Sequence, residues 1–286
     1  MSNYTKENIC AIIVCFNCTE IINKNICSLL RQVNRVLIID NASSIINKKL
    51  LFDWERDERV TMIWNQKNEG VAFALNQGLA FAKTSKFKLI LTMDQDTILC
   101  DDAVGLMIRT LNTNNAVVSV GPARKKNMNS KVPYEIVDYL ITSGNLTLVK
   151  AALKANGFSN NFFIDSVDID FSIRLRASGY KLARVNNSHM AHKVGEFEHT
   201  QFLLWDIKYL SHSPLRHYYI YRNHIIIFKK YSFEYPYFCC KMLFFLTVDT
   251  LKIFLYHSHK KEKFRMIAKG LKDGFKNSKT GVDKFP

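Results

Sequence analysis

The chain reads as an α/β protein, a mostly parallel β-sheet with helices on both faces, followed by a helical appendage. Three observations predict it. Short β-branched runs alternate with segments of helical apolar spacing through the first half. The residues closing those runs are polar or acidic, as at the carboxyl ends of strands in open α/β sheets, where ligands gather. Beyond about residue 200 the composition shifts towards aromatics and lysine, which separates a region 1–200 from a region 201–286.

The first strand is "ICAIIVCFN", an unbroken apolar run of the kind buried on both faces of a parallel sheet. "EIINKNICSLLRQV" follows with helical spacing, then "RVLIIDNAS" as a second strand ending in turn residues. "VTMIWNQ" is a third strand, "GVAFALNQGLAFAKTS" a helix and "FKLILTMDQD" a fourth strand. A helix and then the strand "AVVSVGP" are expected between 101 and 121, and "ARKKNMNSKVPYE" reads as a basic loop. "YLITSGNLTLVKAALKANG" reads as a strand, a Ser143-Gly144 turn and a helix. "FIDSVDIDFSIRLRASGYKLARV" carries acids into a helix closed by Gly179.

The strand ends give the first candidates: Asn17; Asp40, Asn41 and Ser43; Asn65 to Gly70; Asp94 and Asp96. Turn chemistry alone also enriches Asn and Asp at such places. A nucleoside-diphosphate ligand needs acceptors for its base and ribose, which Asp40 and Asp94 offer. Its diphosphate needs a divalent cation on oxygen ligands, which Asp96 offers, and Mg²⁺ or Mn²⁺ suits that role.

A length of 286 residues and 48% hydrophobic composition exclude a disordered or fibrous chain. The formal charge of +15 attracts phosphate-bearing partners, whether nucleic acid, anionic lipid or nucleotide. A basic nucleic-acid- or membrane-binding protein without catalysis is the alternative of another class. No recognised module with aromatic platforms among basic residues is present, so no nucleic-acid partner is expected. The opening "MSNYTKEN" has no signal-peptide pattern, so a cytoplasmic location is expected. Seven cysteines form no paired framework and are expected to be reduced. "CFNC" has CxxC spacing, but no second ligand pair lies at the spacing a zinc site needs. A sugar nucleotidyltransferase would carry a Gly-rich loop after the first strand, and "CFNCTEIINKN" has no glycine.

"AIIVCFN", "VLIIDNASS", "NEGVAFALNQGL", "LTMDQDT", "TSGNL" and "FIDSVDIDFSIRLRASGY", in this order and spacing, resemble the inverting family 2 glycosyltransferases of GT-A fold. The resemblance covers roughly the first 200 residues. It implies that Asp94 contacts the ribose and Asp96 the metal, that Asp40 contacts the nucleobase, and that Asn17, the Asn68-Glu69-Gly70 turn, Ser143 and Gly144 border the nucleotide sugar. An inverting transfer needs one general base opposite the leaving diphosphate. Asp165, Asp168 and Asp170 are the candidates, and alignment with the family's acidic pair points to Asp168. Val167 stands where relatives carry a second acid, which keeps Asp170 as the second choice. Acids at this place also suit a helix N-terminus without any catalytic role. Relatives place a metal-ligating histidine after this helix, and of His189 and His192 the family spacing points to His192.

"DQDT", "FFIDSVDIDFSIRLR", "LRHYYIYRNHI" and "KGLKDGFKNSKTG" are similar to bacterial rhamnosyltransferases of O-antigen, lipopolysaccharide and related surface-polysaccharide assembly. That resemblance implies dTDP-L-rhamnose as donor and a polyprenyl-diphosphate-linked oligosaccharide as acceptor, with a UDP-hexose donor as the alternative. Arg222 and Asn223 are expected either to meet acceptor or diphosphate or to pack. "YPYFCCKMLFFLTVDTLKIFLYHSHKK" is interrupted by Lys241, Asp249 and Lys252, which share one side of a helix, so an interfacial amphipathic helix is expected. Residues 257–279 hold eight Lys or Arg against two acids. Peripheral contact with the cytoplasmic face of the inner membrane is the functional expectation, and a solvated basic face is the plain one.

Overall fold

The computed structural model describes residues 3–123, 132–192, 196–202 and 205–276. They divide into two compact units, one of 3–160 with 167–192 and one of 161–166 with 196–276.

In the first unit, β1 (Ile9–Cys15), β2 (Arg35–Asp40), β3 (Val60–Trp64) and β4 (Leu89–Asp94) lie parallel in the order β3-β2-β1-β4. Ile9 to Ile13 are wholly buried on both sides of β1, as an unbroken apolar run in a parallel sheet demands. Helices α1 (Ile21–Leu30) and α3 (Val71–Thr84) stand where apolar spacing predicts them. A further helix, α2 (Ile45–Phe52), follows β2; only Leu51 of it is buried, so it leaves little apolar period to read.

After β5 (Thr97–Leu99), α4 (Ala103–Thr113) and β6 (Val117–Ala123) come β7 (Tyr134–Val137), β8 (Asn145–Leu148) and the short α5 (Val149–Lys154). Helix α6 (Val167–Ala177) then leads into β9 (Lys181–His192). The sheet runs on from β4 through β8, β6 and β9. Strand β8 is antiparallel to both neighbours, and β9 is parallel to β6. The far end of β9 leaves that ladder and pairs with β5, Leu99 opposite Met190 and Thr97 opposite His192.

Two expectations for this sheet need correction. The strand near Ser143-Gly144 follows the turn rather than preceding it, because Asn145 to Leu148 pair with Thr92 to Leu89. The end of the expected basic loop forms β7 against β9, with Tyr134 opposite Val185; residues 124–131 of that loop lie outside the described residues.

The second unit opens with a hairpin of β10 (Glu196–Phe202) and β11 (Trp205–Ser211) rather than with helix. Helices α7 (Pro214–Tyr231), α8 (Pro236–Tyr256) and α9 (Lys260–Lys276) follow. Pro214 opens α7, and the Ser213 hydroxyl accepts from the Arg216 N–H at 3.2 Å, a standard N-cap. Tyr221, Leu246, Ile253 and Ile267 form the core between these helices. Helix α9 approaches α7 through Gly270 and Gly274: a Cβ on Gly270 would lie 2.5 Å from the Tyr218 carbonyl oxygen. The outer face of α8 exposes Tyr237, Phe244, Phe245, Leu251, Phe254 and Leu255. Among the described residues no helix is long and apolar enough to cross a membrane.

Candidate active site

The parallel register sets the site. Cys15 is level with Asp40, Asp40 with Trp64, and Val14 with Asp94. The carboxyl ends of four neighbouring strands therefore bring Asn17, Asp40, the 65–70 turn and the Asp94-Gln95-Asp96 turn to one edge of the sheet.

Asp40 is fully buried. Its Oδ2 accepts from the Ser43 N–H at 3.0 Å and lies 3.8 Å from Lys48 Nζ. Its Oδ1 is buried and meets no hydrogen-bond donor among the described residues. A buried acceptor left open costs about 1–3 kcal/mol, and a ligand N–H would satisfy it. Asn17 takes a positive φ of 49°, which Asn tolerates better than most residues. Its N–H donates to Ser43 Oγ at 2.7 Å and its Oδ1 accepts from the Ser44 N–H at 2.9 Å, tying the end of β1 to the loop after β2. Close by, the Cys15 thiol hydrogen-bonds Cys18; that bond and burial push Cys15 well above the usual thiol range, and the same bond lowers Cys18.

A side-chain amide network shapes the 65–70 turn. Asn41 donates to Asn68 Oδ1 at 2.8 Å and accepts from the Glu69 N–H at 3.2 Å. Asn65 and Gln77 exchange two hydrogen bonds of 2.9 Å. Asn68 Oδ1 also accepts from the Gly70 N–H at 3.0 Å, so this oxygen orients the turn. Gly70 has φ 86° and ψ 167°, a conformation essentially confined to glycine.

Gln95, between the two acids, pairs with the main chain of Phe16: Oε1 accepts its N–H at 2.8 Å and Nε2 donates to its carbonyl at 3.2 Å. The Asp94 N–H donates to Ser143 Oγ at 3.1 Å, and the Gly144 N–H to the Thr92 carbonyl at 2.9 Å. Asn25 donates to the Asp94 carbonyl at 2.8 Å. Asn25, Gln77 and Gln95 are positioning residues that motif reading did not find; only the place of Gln95 between two acids hinted at a role.

Asp94 and Asp96 are partly exposed. The backbone of His192 pairs with Thr97, next to Asp96, whereas that of His189 pairs with Ala123. Both ring nitrogens of His189 are buried with no hydrogen-bond partner among the described residues. Among the described residues no group of three or more His, Cys, Asp or Glu is assembled to hold a metal. A hard cation at the half-open carboxylates of this turn would complete its shell with ligand phosphate oxygens and water.

The acids of "IDSVDID" part company. Asp165 and Ser166 both have φ 62°, costly for residues other than glycine, and they belong to the second unit. There Arg216 Nη2 meets Asp165 Oδ1 at 3.1 Å, and Asn223 Nδ2 donates to the carbonyls of Ile164 and Asp165 at 2.8 and 2.9 Å. Arg222 Nη1 donates to the Asn161 carbonyl at 2.9 Å. Arg222 and Asn223 thus hold the segment ahead of α6. On α6 itself, Asp168 is partly exposed and its Oδ1 accepts from the Ile169 N–H at 2.9 Å. Asp170 is wholly buried and its Oδ2 accepts from Arg174 Nε at 2.8 Å. Arg174 also donates to the carbonyls of Ala155 and Gly157.

The family model for Glycosyl transferase family 2 matches residues 10–164. Over 248 residues the chain is 25% identical to the dTDP-rhamnosyl transferase RfbF of Shigella flexneri, which spans 78% of this chain and 81% of that one. It is 27% identical over 128 residues to the poly-β-1,6-N-acetyl-D-glucosamine synthase of Staphylococcus epidermidis, spanning 43% of this chain and only 30% of that enzyme. Among solved structures it is similar to the mannosyltransferase PcManGT of Pyrobaculum calidifontis in complex with GDP-Man and Mn²⁺, with TM-score 0.61, 12% identity and coverage of 96% of this chain and 87% of that one. It is also similar to GalNAc-T7 with UDP, GalNAc and Mn²⁺, with TM-score 0.56, 13% identity and coverage of 64% of this chain and 42% of that one. At such identities the two structures speak for the fold alone.

Proposed function

The chain belongs to glycosyl transferase family 2, and on that premise we propose that it transfers L-rhamnose from dTDP-L-rhamnose to a polyprenyl-diphosphate-linked glycan in O-antigen or related polysaccharide assembly. The register that sets Asp40 and Asp94 at the ends of strands flanking β1 carries the reading of the site. The Shigella flexneri relative, named for dTDP-rhamnosyl transfer and matched over most of both chains, supports the donor.

In this reading the open Oδ1 of Asp40 accepts a nucleobase N–H, and Asp94 accepts from the ribose hydroxyls. Asn17, Asn68, Gly70, Ser143 and Gly144 shape the cradle by the contacts given above. Asp96 and His192 would hold Mg²⁺ or Mn²⁺, which when bound offsets the charge of the diphosphate. Asp168 takes the proton of the acceptor hydroxyl as its oxygen attacks the anomeric carbon. The bond to the diphosphate breaks on the opposite face, which inverts the configuration. Asp170, buried against Arg174, fixes the first turn of α6 and leaves Asp168 as the base.

The exposed apolar face of α8 and the lysines of α9 support peripheral contact with an anionic membrane surface. Each basic residue there contributes up to about 1 kcal/mol.

Turnover of a nucleotide-sugar panel with Mg²⁺ or Mn²⁺ and then EDTA, beside Asp96→Ala, tests the reading. The expected result is metal-dependent turnover of dTDP-rhamnose that the variant lacks. Turnover of a UDP-hexose instead would keep the mechanism and overturn the donor.

A further inference from the structure

We propose that a cavity in the second unit, lined by Asn161, Arg222, Ile226, Lys229 and Lys230, binds the phosphate ester of the lipid-linked acceptor. This rests on the acceptor class given under Proposed function. The cavity measures about 370 Å³, within the range of small-molecule sites, about 300–1,000 Å³. Three of its five lining residues are cationic and none is acidic.

The cations are built in differently. Arg222, only 1% exposed, is fixed by its hydrogen bonds to the Asn161 carbonyl at 2.9 Å and to Asn223 Oδ1 at 2.7 Å. Burial lowers its pKa, with Tyr218, Tyr219 and Asp273 acting the other way. An anion in the cavity would stabilise a guanidinium that the fold has taken out of water. Lys229 and Lys230 stand at the rim, Lys229 donating to the Phe275 carbonyl at 2.6 Å and Lys230 lying 4.7 Å over the Tyr231 ring. Residues 222, 226, 229 and 230 follow the i, i+4, i+7, i+8 spacing of one face of α7. Ile226 adds an apolar wall among them. Just past α7 come Phe233, 98% exposed, and Tyr237, 81% exposed. A phosphate or diphosphate bearing a hydrocarbon chain matches this sequence of surfaces.

The test is isothermal titration of the full chain and of a Lys229→Gln, Lys230→Gln double variant in EDTA, which removes metal-dependent diphosphate binding at Asp94 and Asp96. The probes are farnesyl diphosphate, farnesol, inorganic pyrophosphate and phosphatidylglycerol vesicles. Both lysines are exposed, and an unchanged Tm shows that the variant is folded. The expected result is binding of farnesyl diphosphate but not farnesol, weakened at least tenfold in the variant. Equal binding of pyrophosphate would mark a free-phosphate site, and a vesicle-only loss in the variant would mark a lipid headgroup site; either would overturn the acceptor assignment. Equal affinities of parent and variant for every probe, or no binding by the parent, would remove the site altogether. If dTDP-rhamnose is not turned over while the variant still loses farnesyl diphosphate, the cavity stands and the transfer reading falls.

Discussion

The side-chain amide of Gln95 and the peptide of Phe16 form a two-point hydrogen-bonded ring, with Phe16 N–H to Oε1 at 2.8 Å and Nε2 to the Phe16 carbonyl at 3.2 Å. The residue between two acids thus imitates one more rung of the ladder between β4 and β1. It ties the turn that carries Asp94 and Asp96 to the end of β1. Gln95→Ala is expected to raise the donor KM about tenfold, equivalent to about 1.4 kcal/mol, while Tm falls only slightly, because the ring is exposed to competing water. Steady-state kinetics beside a thermal melt check this; an unchanged KM would show that the clasp does not position the acids.

The two acids of α6 are expected to fail differently. Asp168→Asn should lower kcat by about 10²–10⁴ with little change in Tm, as loss of a general base does. Asp170→Asn leaves the Arg174 guanidinium without its buried partner, 2.8 Å away in the parent. Breaking such a pair costs about 3–5 kcal/mol, so this variant should melt far earlier. Chemical denaturation and single-turnover kinetics separate the two, and the reverse pattern would make Asp170 the base.

Glycine at 270 is a packing requirement. A methyl group there would stand 2.5 Å from the Tyr218 carbonyl, whereas one at Gly105 in α4 would meet nothing within 4 Å. Gly270→Ala is expected to destabilise the second unit by about 1–3 kcal/mol. Gly105→Ala should stabilise by up to about 1 kcal/mol through helix propensity. Urea melts of both variants check the contrast.

Acid should loosen the second unit in two steps. Burial and the neighbouring Lys263 hold His257 down to about 4 from an ordinary 6.5. The unfolded chain therefore binds the extra proton first, and stability falls as pH drops from 6.5 towards 4. Glu198 is held down to about 2 from 4.5 by the hydroxyls of Ser211, Tyr209 and Ser258. Its contribution is present above 4.5 and lost as pH falls towards 2. Melts across this range should show His257→Gln flattening the upper step and Glu198→Gln the lower one.

Local sequence alone reveals β1 to β4, α1, α3, α4 and β6 in order, with the polar residues at the strand ends, since an apolar run, its period and its closing turn residues are local properties; α2, with only Leu51 buried, and the three-residue β5 leave no such pattern. It also carried the family, because six short motifs keep their order. Tertiary structure decided the rest. Whether the strand near Gly144 precedes or follows its turn depends on Thr92 and its neighbours, some fifty residues earlier. That the backbone of His192 lies beside Thr97 depends on β9 leaving one ladder for another. Asp168 and Asp170 look alike two residues apart, yet one is half-exposed and the other is wholly buried against an arginine on its own helix. Exposure and pairing are set by whatever packs against a side chain, and those neighbours are distant in sequence, so local periodicity carries no record of them.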